Sequence, residues 1–289
     1  MIIATIDIGG TGIKFASLTP DGKILDKAST PTPETLEDLS AWLDQRLSER
    51  DYRGIAMSVP GAVKQETGVI EGISAIPYIH GFSWYEALAH HKLPVHLEND
   101  ANCVGLSELL AHPEIENAAC VVIGTGIGGA MIINGKLHRG RHGLGGEFGY
   151  MTTIEPAERL NNWSQLASTG NMVRYVIEKS GQTDWDGRKV YQEAAAGNAL
   201  CQEAIERMNR NLAQGLLNIQ YLIDPDVISL GGSISQNPDF IKGVQKAVDA
   251  FVDRYEEYTI APVIQACTYQ ADANLYGALV NWLQEENQW

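Results

Sequence analysis

Two glycine-rich β-hairpins, set about half a chain apart, constrain this sequence more than any other feature. Residues 2–7 are a β-rich run, Ile8-Gly9-Gly10-Thr11-Gly12 turns, and residues 13–18 return as a strand. Asp21-Gly22 then supplies the positive-φ positions of a tight turn into a third strand, residues 23–27. The pattern repeats later. Residues 119–123 are β-prone, Gly124-Thr125-Gly126-Ile127-Gly128-Gly129 turns, residues 130–133 return, and Asn134-Gly135 leads into residues 136–138. Such an echo predicts a duplicated three-stranded unit. Helical periodicity follows each copy, at 36–50, 83–91 and 101–111, then at 164–180, 200–223, 238–255 and 273–286. Short strands are expected at 54–59, 95–98, 227–230 and 262–266. The chain therefore reads as α/β, with two similar lobes around a central cleft. No Pro/Ser-rich linker separates them. The first lobe is expected over residues 1–115, joined by the C-terminal helix 273–289, and the second over 116–272.

Charge removes several classes of partner. The 289 residues carry 36 acidic and 21 basic side chains, a formal charge of −15. Nucleic-acid binding needs a basic face, and an anionic membrane surface repels such a chain, so neither is expected as a partner. The most apolar run, residues 118–133, is short for a membrane span and is interrupted by glycines and Thr125. Residues 1–7 lack the basic flank of a signal peptide. Cys103, Cys120, Cys201 and Cys267 are widely spaced, which suits a reducing compartment and gives no zinc knuckle. A cytoplasmic location is expected.

Gly124, Gly126 and Gly129 satisfy the spacing G-x-G-x-x-G after a strand, which suggests a dinucleotide site. That fingerprint needs a helix to start at the turn, whereas the residues here, Ala130-Met131-Ile132-Ile133-Asn134-Gly135, are β-prone and end in a hairpin. A Rossmann oxidoreductase is therefore disfavoured. Glycine hairpins also let backbone N–H groups close around phosphate, and two matched hairpins suit a nucleotide triphosphate better than two unrelated tight turns.

In family order, several segments resemble motifs of the ROK family of repressors and sugar kinases, within the actin/hexokinase superfamily. Asp7-Ile8-Gly9-Gly10-Thr11-Gly12-Ile13-Lys14 resembles its first phosphate motif, and residues 123–129 with Asn134-Gly135 resemble the second. Glu98-Asn99-Asp100-Ala101-Asn102 is similar to its sugar-binding and catalytic segment. Gly143-Leu144-Gly145-Gly146-Glu147-Phe148-Gly149 resembles its signature, and Leu230-Gly231-Gly232 its adenosine motif. The resemblance implies an actin-like (ribonuclease H-like) fold and an ATP-dependent sugar kinase.

Each position also has a plainer reading. Asp100 begins a helix, where aspartate is a favoured N-cap, while the resemblance makes it the general base. Asn99 is either loop chemistry or a sugar contact. Asp7 is a charge in an apolar strand, held by a buried donor or, as the resemblance implies, by magnesium through water. Lys14 is an exposed hairpin lysine or a charge near the phosphates. Thr11 and Thr125 are turn residues or phosphate donors, and Glu147 is a solvated loop residue or a sugar-binding carboxylate. Gly9, Gly10, Gly124, Gly126, Gly128, Gly231 and Gly232 complete the expected phosphate and ATP contacts.

Departures from the family pattern narrow the expectation. Many members carry a histidine and a cysteine cluster that hold zinc beside the sugar; here Tyr150 takes the histidine position and no cysteine lies between Cys120 and Cys201. No zinc is expected there. Tyr150 becomes a candidate sugar contact, and Ser164 or Gln165 stands where a second family glutamate is expected. The seven histidines show no ligand spacing and read as bland, with His142 left open because it lies near Glu147. Trp84 and Trp163 are expected in the core, although either could stack on sugar. A zinc-free member with this pattern resembles the N-acetylmannosamine and β-glucoside kinases of Gram-positive bacteria. The expected reaction is transfer from ATP to the 6-hydroxyl of N-acetylmannosamine, with glucose or a β-glucoside as runner-up. A homodimer is expected. A sugar-sensing regulator is the reading from another class, and the phosphate hairpin beginning at residue 7 leaves no room for its DNA-binding segment.

Overall fold

Six consecutive buried residues, Ile3–Ile8, form β1, as expected for a strand covered on both faces. Around it the computed structural model, which describes residues 1–154, 160–255 and 257–289, builds the first of two units. That unit comprises Met1–Glu114, Leu137–Gly145 and Ala271–Trp289. Strands β2 (Gly12–Leu18) and β3 (Ile24–Pro31) extend β1 antiparallel, and β4 (Gly54–Val59) pairs with it in parallel. A small hairpin follows, β5 (Ala62–Lys64) with β6 (Val69–Glu71), and β7 (Val95–Asn99) completes the sheet in the order β3-β2-β1-β4-β7.

Helices α1 (Leu36–Leu47), α2 (Trp84–Ala87) and α3 (Asp100–Ala111) belong to the same unit, with the C-terminal helix. Thr35 caps α1 by accepting the Asp38 N–H, and Leu39, Leu43 and Leu47 recur at a spacing of four to bury one stripe. The C-terminal helix Ala273–Glu285 crosses α3 at Gly277, where an added Cβ would lie 1.7 Å from the Cys103 carbonyl oxygen. Only glycine admits that approach.

The second unit comprises Ile115–Lys136 and Gly146–Gln270. It starts with β8 (Ala118–Ile123) and β9 (Ile127–Ile133), followed by β10 (Lys136–Leu137). Asn134 and Gly135 have φ of 52° and 69°, the left-handed pair that the dipeptide predicts for this turn. Strands β11 (Thr152–Ile154) and β12 (Leu160–Asn162) form a separate ribbon. Helices α4 (Trp163–Ala167), α5 (Thr169–Ser180), α6 (Gly187–Ala195), α7 (Ala199–Ile223) and α8 (Pro238–Arg254) pack with β13 (Val227–Gly231) and β14 (Ile264–Ala266). The sheet order is β10-β9-β8-β13-β14. Each copy thus has a hairpin, an antiparallel third strand position and two added strands in equivalent places. The duplication predicted from two hairpins extends to five strands.

Differences from the sequence reading are local. The helix expected over 164–180 breaks at Ser168, whose ψ of 157° is extended and whose hydroxyl caps α5 by accepting the Asn171 N–H. Helix α6 was not expected; its Asp186 cap precedes glycine, which weakens the periodic signal. Leu137–Gly145 belongs with the first unit rather than the second, because Arg139 is anchored there on Glu98, Asn281 and Glu285. Trp84 and Trp163 are both about 1% exposed and serve the core, their indole N–H groups donating to the Ile79 and Asn211 carbonyls. Among the described residues, no helix is long and apolar enough to cross a membrane.

Candidate active site

The corner where β7 enters α3 concentrates the most chemistry. Asn99, not Asp100, caps the helix: its Oδ1 accepts the N–H groups of Ala101 and Asn102 at 2.9 and 3.2 Å. Its amide nitrogen donates to the Gly61 carbonyl at 3.1 Å and to Asp100 Oδ1 at 3.0 Å. Asn99 therefore spends its hydrogen-bonding capacity on the corner itself, and one of those bonds aims Asp100. The Ala101 N–H also reaches Asp100 Oδ1, at 2.8 Å, while no other described residue donates to Oδ2. Burial pushes the Asp100 carboxyl above its ordinary range, and the negative charge of Asp7 adds to the rise. An aspartate with one fixed oxygen, one open oxygen and enhanced basicity is equipped to accept a proton.

Beneath the corner, Glu98 is 2% exposed and paired with Arg139. Arg139 Nε meets its Oε2 at 2.6 Å, while Asn102 Nδ2 and the Asn99 N–H meet Oε1 at 2.8 and 2.7 Å. Although burial opposes the Arg139 charge, Glu98 and Glu285 outweigh it and raise its basicity. The pair fixes the carboxyl end of β7 one residue before the Asn99 cap.

At the end of β1, Asp7 is 6% exposed and lies between two donors. Lys14 Nζ stands 3.3 Å from Oδ2 and Asn274 Nδ2 donates to Oδ1 at 2.8 Å. Lys14 also donates to the Ala271 carbonyl at 2.6 Å, so it is no free hairpin lysine. The Gly9 N–H closes the turn onto the Gly12 carbonyl, leaving Gly10 and Thr11 exposed at the tip. A cavity of about 410 Å³ opens here, lined by Asp7, Gly9, Thr11, Lys14 and Ser29. A single buried carboxylate facing open space fits magnesium, which keeps most of its water shell and takes few protein oxygens.

The second hairpin repeats the device. Gly124 N–H donates to the Gly126 carbonyl, and Gly124, Thr125 and Gly126 are exposed. An added Cβ at Gly124 would meet nothing within 4 Å, so packing does not demand glycine there. Gly128 sits half-buried on β9 opposite Val122. Gly231 ends β13 buried, and Gly232, at φ 89°, approaches Ile123 so closely that a Cβ would lie 2.0 Å from its carbonyl oxygen. Directly after this pair lies a cavity of about 500 Å³ lined by Thr169, Asp186, Arg188, Tyr191, Ser233 and Asn237. Thr169 Oγ1 and Tyr191 OH are buried without a partner among the described residues, and burial, aided by Asp239, drives the phenol well above its usual range. Two orphaned hydroxyls in a nucleoside-sized cavity invite a polar ligand. Sequence reasoning found the glycines beside this cavity but none of its polar walls.

Glu147, half-buried, and Tyr150, 72% exposed, share one 3₁₀ turn, the Tyr150 N–H donating to the Glu147 carbonyl. The replacement positions are otherwise engaged. Ser164 Oγ accepts the Ile127 N–H at 2.8 Å and donates to the Ile127 carbonyl, while Gln165 completes a capping box with Asn162. Within the first unit Asn99, Asp100, Asp7 and Lys14 stand at the carboxyl edge of one sheet and the turn beside it. Within the second, the hairpin glycines, Gly231-Gly232 and the Glu147 turn gather around the matching sheet.

Known proteins resemble this chain along its whole length. The sequence model of the ROK family matches residues 3–285. The chain is 35% identical to a beta-glucoside kinase of Listeria monocytogenes, over 100% of this chain and 99% of that one. It is 88% identical to a ROK family protein from Streptococcus pneumoniae TIGR4 solved in complex with sucrose, covering 100% of both chains with a TM-score of 0.98. A Listeria monocytogenes structure described as a candidate N-acetylmannosamine kinase is 32% identical over 99% of this chain and 100% of that one, with a TM-score of 0.87.

Proposed function

The chain belongs to the ROK family, and from that premise we propose that it transfers the γ-phosphate of ATP to the 6-hydroxyl of a β-glucoside. Its beta-glucoside kinase and glucokinase relatives are sugar kinases, and it is one by the same kinship. The observation that carries the mechanism is Asp100, with Oδ1 fixed by Asn99 and Ala101 and Oδ2 open. Phosphoryl transfer needs positioning and charge neutralisation more than covalent chemistry. Asp100 accepts the proton as the sugar oxygen attacks. Asn99 keeps Asp100 aimed and turns toward the sugar at the expense of a bond within the corner. Glu147 and Tyr150 hold sugar hydroxyls. The backbones at Gly10, Thr11, Thr125 and Gly126 lie against phosphate, with Gly9, Gly124 and Gly128 allowing close approach. Lys14 adds positive charge, and the cavity beyond Gly231-Gly232 takes the nucleoside. When bound, magnesium neutralises phosphate charge, and Asp7 would hold its water shell.

Three features support a glycosidic substituent on the sugar. The β-glucoside kinase relative spans the whole chain, the 88% identical neighbour holds a disaccharide, and Ser164, diverted onto Ile127, or Gln165 stands where the family pattern has a charged glutamate. N-acetylmannosamine, which the sequence pattern puts first, is the second reading, favoured by the Listeria structure. The deciding experiment compares kcat/KM for a β-glucoside, glucose and N-acetylmannosamine. The β-glucoside should lead by tenfold or more, about 1.4 kcal/mol of transition-state binding. A lead of that size for either other sugar overturns the assignment.

The protein also fits a cytoplasmic homodimer. Tyr221, Leu222, Ile260 and Val263 of the second unit are 49%, 78%, 49% and 62% exposed, an apolar surface suited to a second copy. Leu222→Asp should yield monomers in sedimentation; a wild-type chain that sediments as a monomer at micromolar concentration removes the dimer.

A further inference from the structure

We propose that Asp44, His90 and His91 form a surface site for one zinc ion, separate from the phosphoryl-transfer machinery. Asp44 lies in α1, while His90 and His91 lie in the single 3₁₀ turn Ala89–His91 that follows α2. Forty-six residues separate Asp44 from His90, so no spacing in the sequence announces the group. Asp44 Oδ1 stands 3.0 Å from His90 Nε2 and 2.7 Å from His91 Nε2. One ligand atom from each residue lies within 4.8 Å of the other two.

The orientation of His90 carries the argument. Its Nδ1 is 3.1 Å from the Ala87 carbonyl oxygen. That contact holds the ring with Nε2 facing the Asp44 carboxylate, on which His91 Nε2 also converges. A divalent cation at this point would be met by both imidazoles and the carboxylate together. An imidazole whose outer N–H is fixed on a carbonyl is also how metal-bound histidines are held in orientation and tautomer.

Metal identity follows from the donors. Two nitrogens and one oxygen suit zinc, while magnesium prefers oxygen alone. Tetrahedral zinc with bonds of about 2.0–2.1 Å spaces its ligands by roughly 3.3 Å, so the contacts need open by only a few tenths of an ångström. The side chains of His90 and Asp44 are 57% and 46% exposed, leaving room for water in the fourth position. Zinc here would tie α1 to the turn after α2, within the first unit.

Calorimetric titration of the metal-stripped full-length chain with zinc chloride tests the site. One zinc per chain should bind, and magnesium at millimolar concentration should not displace it. Asp44→Ala and His90→Ala, both at exposed positions that leave the fold intact by circular dichroism, should each weaken zinc binding tenfold or more. Zinc should also raise the unfolding midpoint of the wild-type chain and not that of the variants. Absence of zinc uptake at 100-micromolar metal overturns the site. So does uptake of equal affinity in both variants, as does a midpoint that zinc raises equally in all three proteins. None of these readouts depends on sugar phosphorylation.

Discussion

Removing Arg139 should expose how much of the active-site corner rests on one buried charge pair. Glu98 is 3% exposed at its side chain and Arg139 28%, with 2.6 Å between Oε2 and Nε. Arg139→Ala leaves the Glu98 carboxylate buried with only neutral donors, of which Asn102 Nδ2 and the Asn99 N–H are close and Gln65, at 3.4 Å, is weak. Stripping one partner from a buried pair costs about 3–5 kcal/mol. The partial exposure of Arg139 and the surviving neutral donors place this case near the lower end, at about 3 kcal/mol. In a chain of this size that corresponds to a fall of roughly 6–12 °C in unfolding midpoint. Urea denaturation followed by circular dichroism measures it, alongside Glu98→Gln and the double variant Glu98→Gln/Arg139→Met. The double variant should recover at least half of the loss, because no unpaired charge remains. A loss under 1 kcal/mol for Arg139→Ala would refute the reasoning, since water would then be shielding Glu98. A double variant as unstable as the single would do the same.

Other consequences concern the ligands. Tyr191→Phe removes an orphaned hydroxyl from the cavity beyond Gly232, so KM for ATP should rise severalfold with KM for sugar unchanged; an unaltered ATP KM would separate that cavity from the nucleotide. Phosphorylation should stop when magnesium is withdrawn and continue in a zinc-selective chelator, and loss of activity in the chelator would restore zinc to the sugar site. The acid limb of kcat/KM should lie above the ordinary carboxylate value of about 3.9, because Asp100 must be ionised to act and burial makes ionisation harder. An acid limb at or below that value would disqualify Asp100.

How far the sequence discloses this molecule depends on the range of each interaction. The hairpins were legible because their signals are adjacent: Asn134-Gly135 alone dictates the left-handed turn that the structure contains. Strand Gly54–Val59 was legible as a short apolar run covered on both faces. Ser168 hid its helix break because a serine inside a periodic stretch resembles a surface position until its ψ is known. Asn99 read as loop chemistry or a sugar contact; its cap on the Ala101 and Asn102 N–H groups is local, but the bond from its amide nitrogen reaches Gly61, 38 residues away. The Glu98–Arg139 anchor and the Asp44–His90–His91 cluster join residues 41 and 46 or 47 positions apart, beyond any helical or strand period. For the same reason Leu137–Gly145 appeared to continue the second hairpin, although Arg139 holds it in the first unit.

The most direct test of the account is Asp100→Asn, measured for both turnover and stability. The amide keeps an oxygen for the Ala101 N–H but no longer accepts the sugar proton. Turnover with ATP and the preferred sugar should fall by about a hundredfold to ten-thousandfold. Stability should be unchanged or higher at neutral pH. The folded-state carboxyl titrates above its unfolded value, so the folded state binds more protons in that interval and loses stability as pH rises through it. Replacing the carboxylate by a neutral amide removes that penalty. A folded Asp100→Asn protein that retains turnover within threefold of wild type would contradict the central claim, whatever its stability.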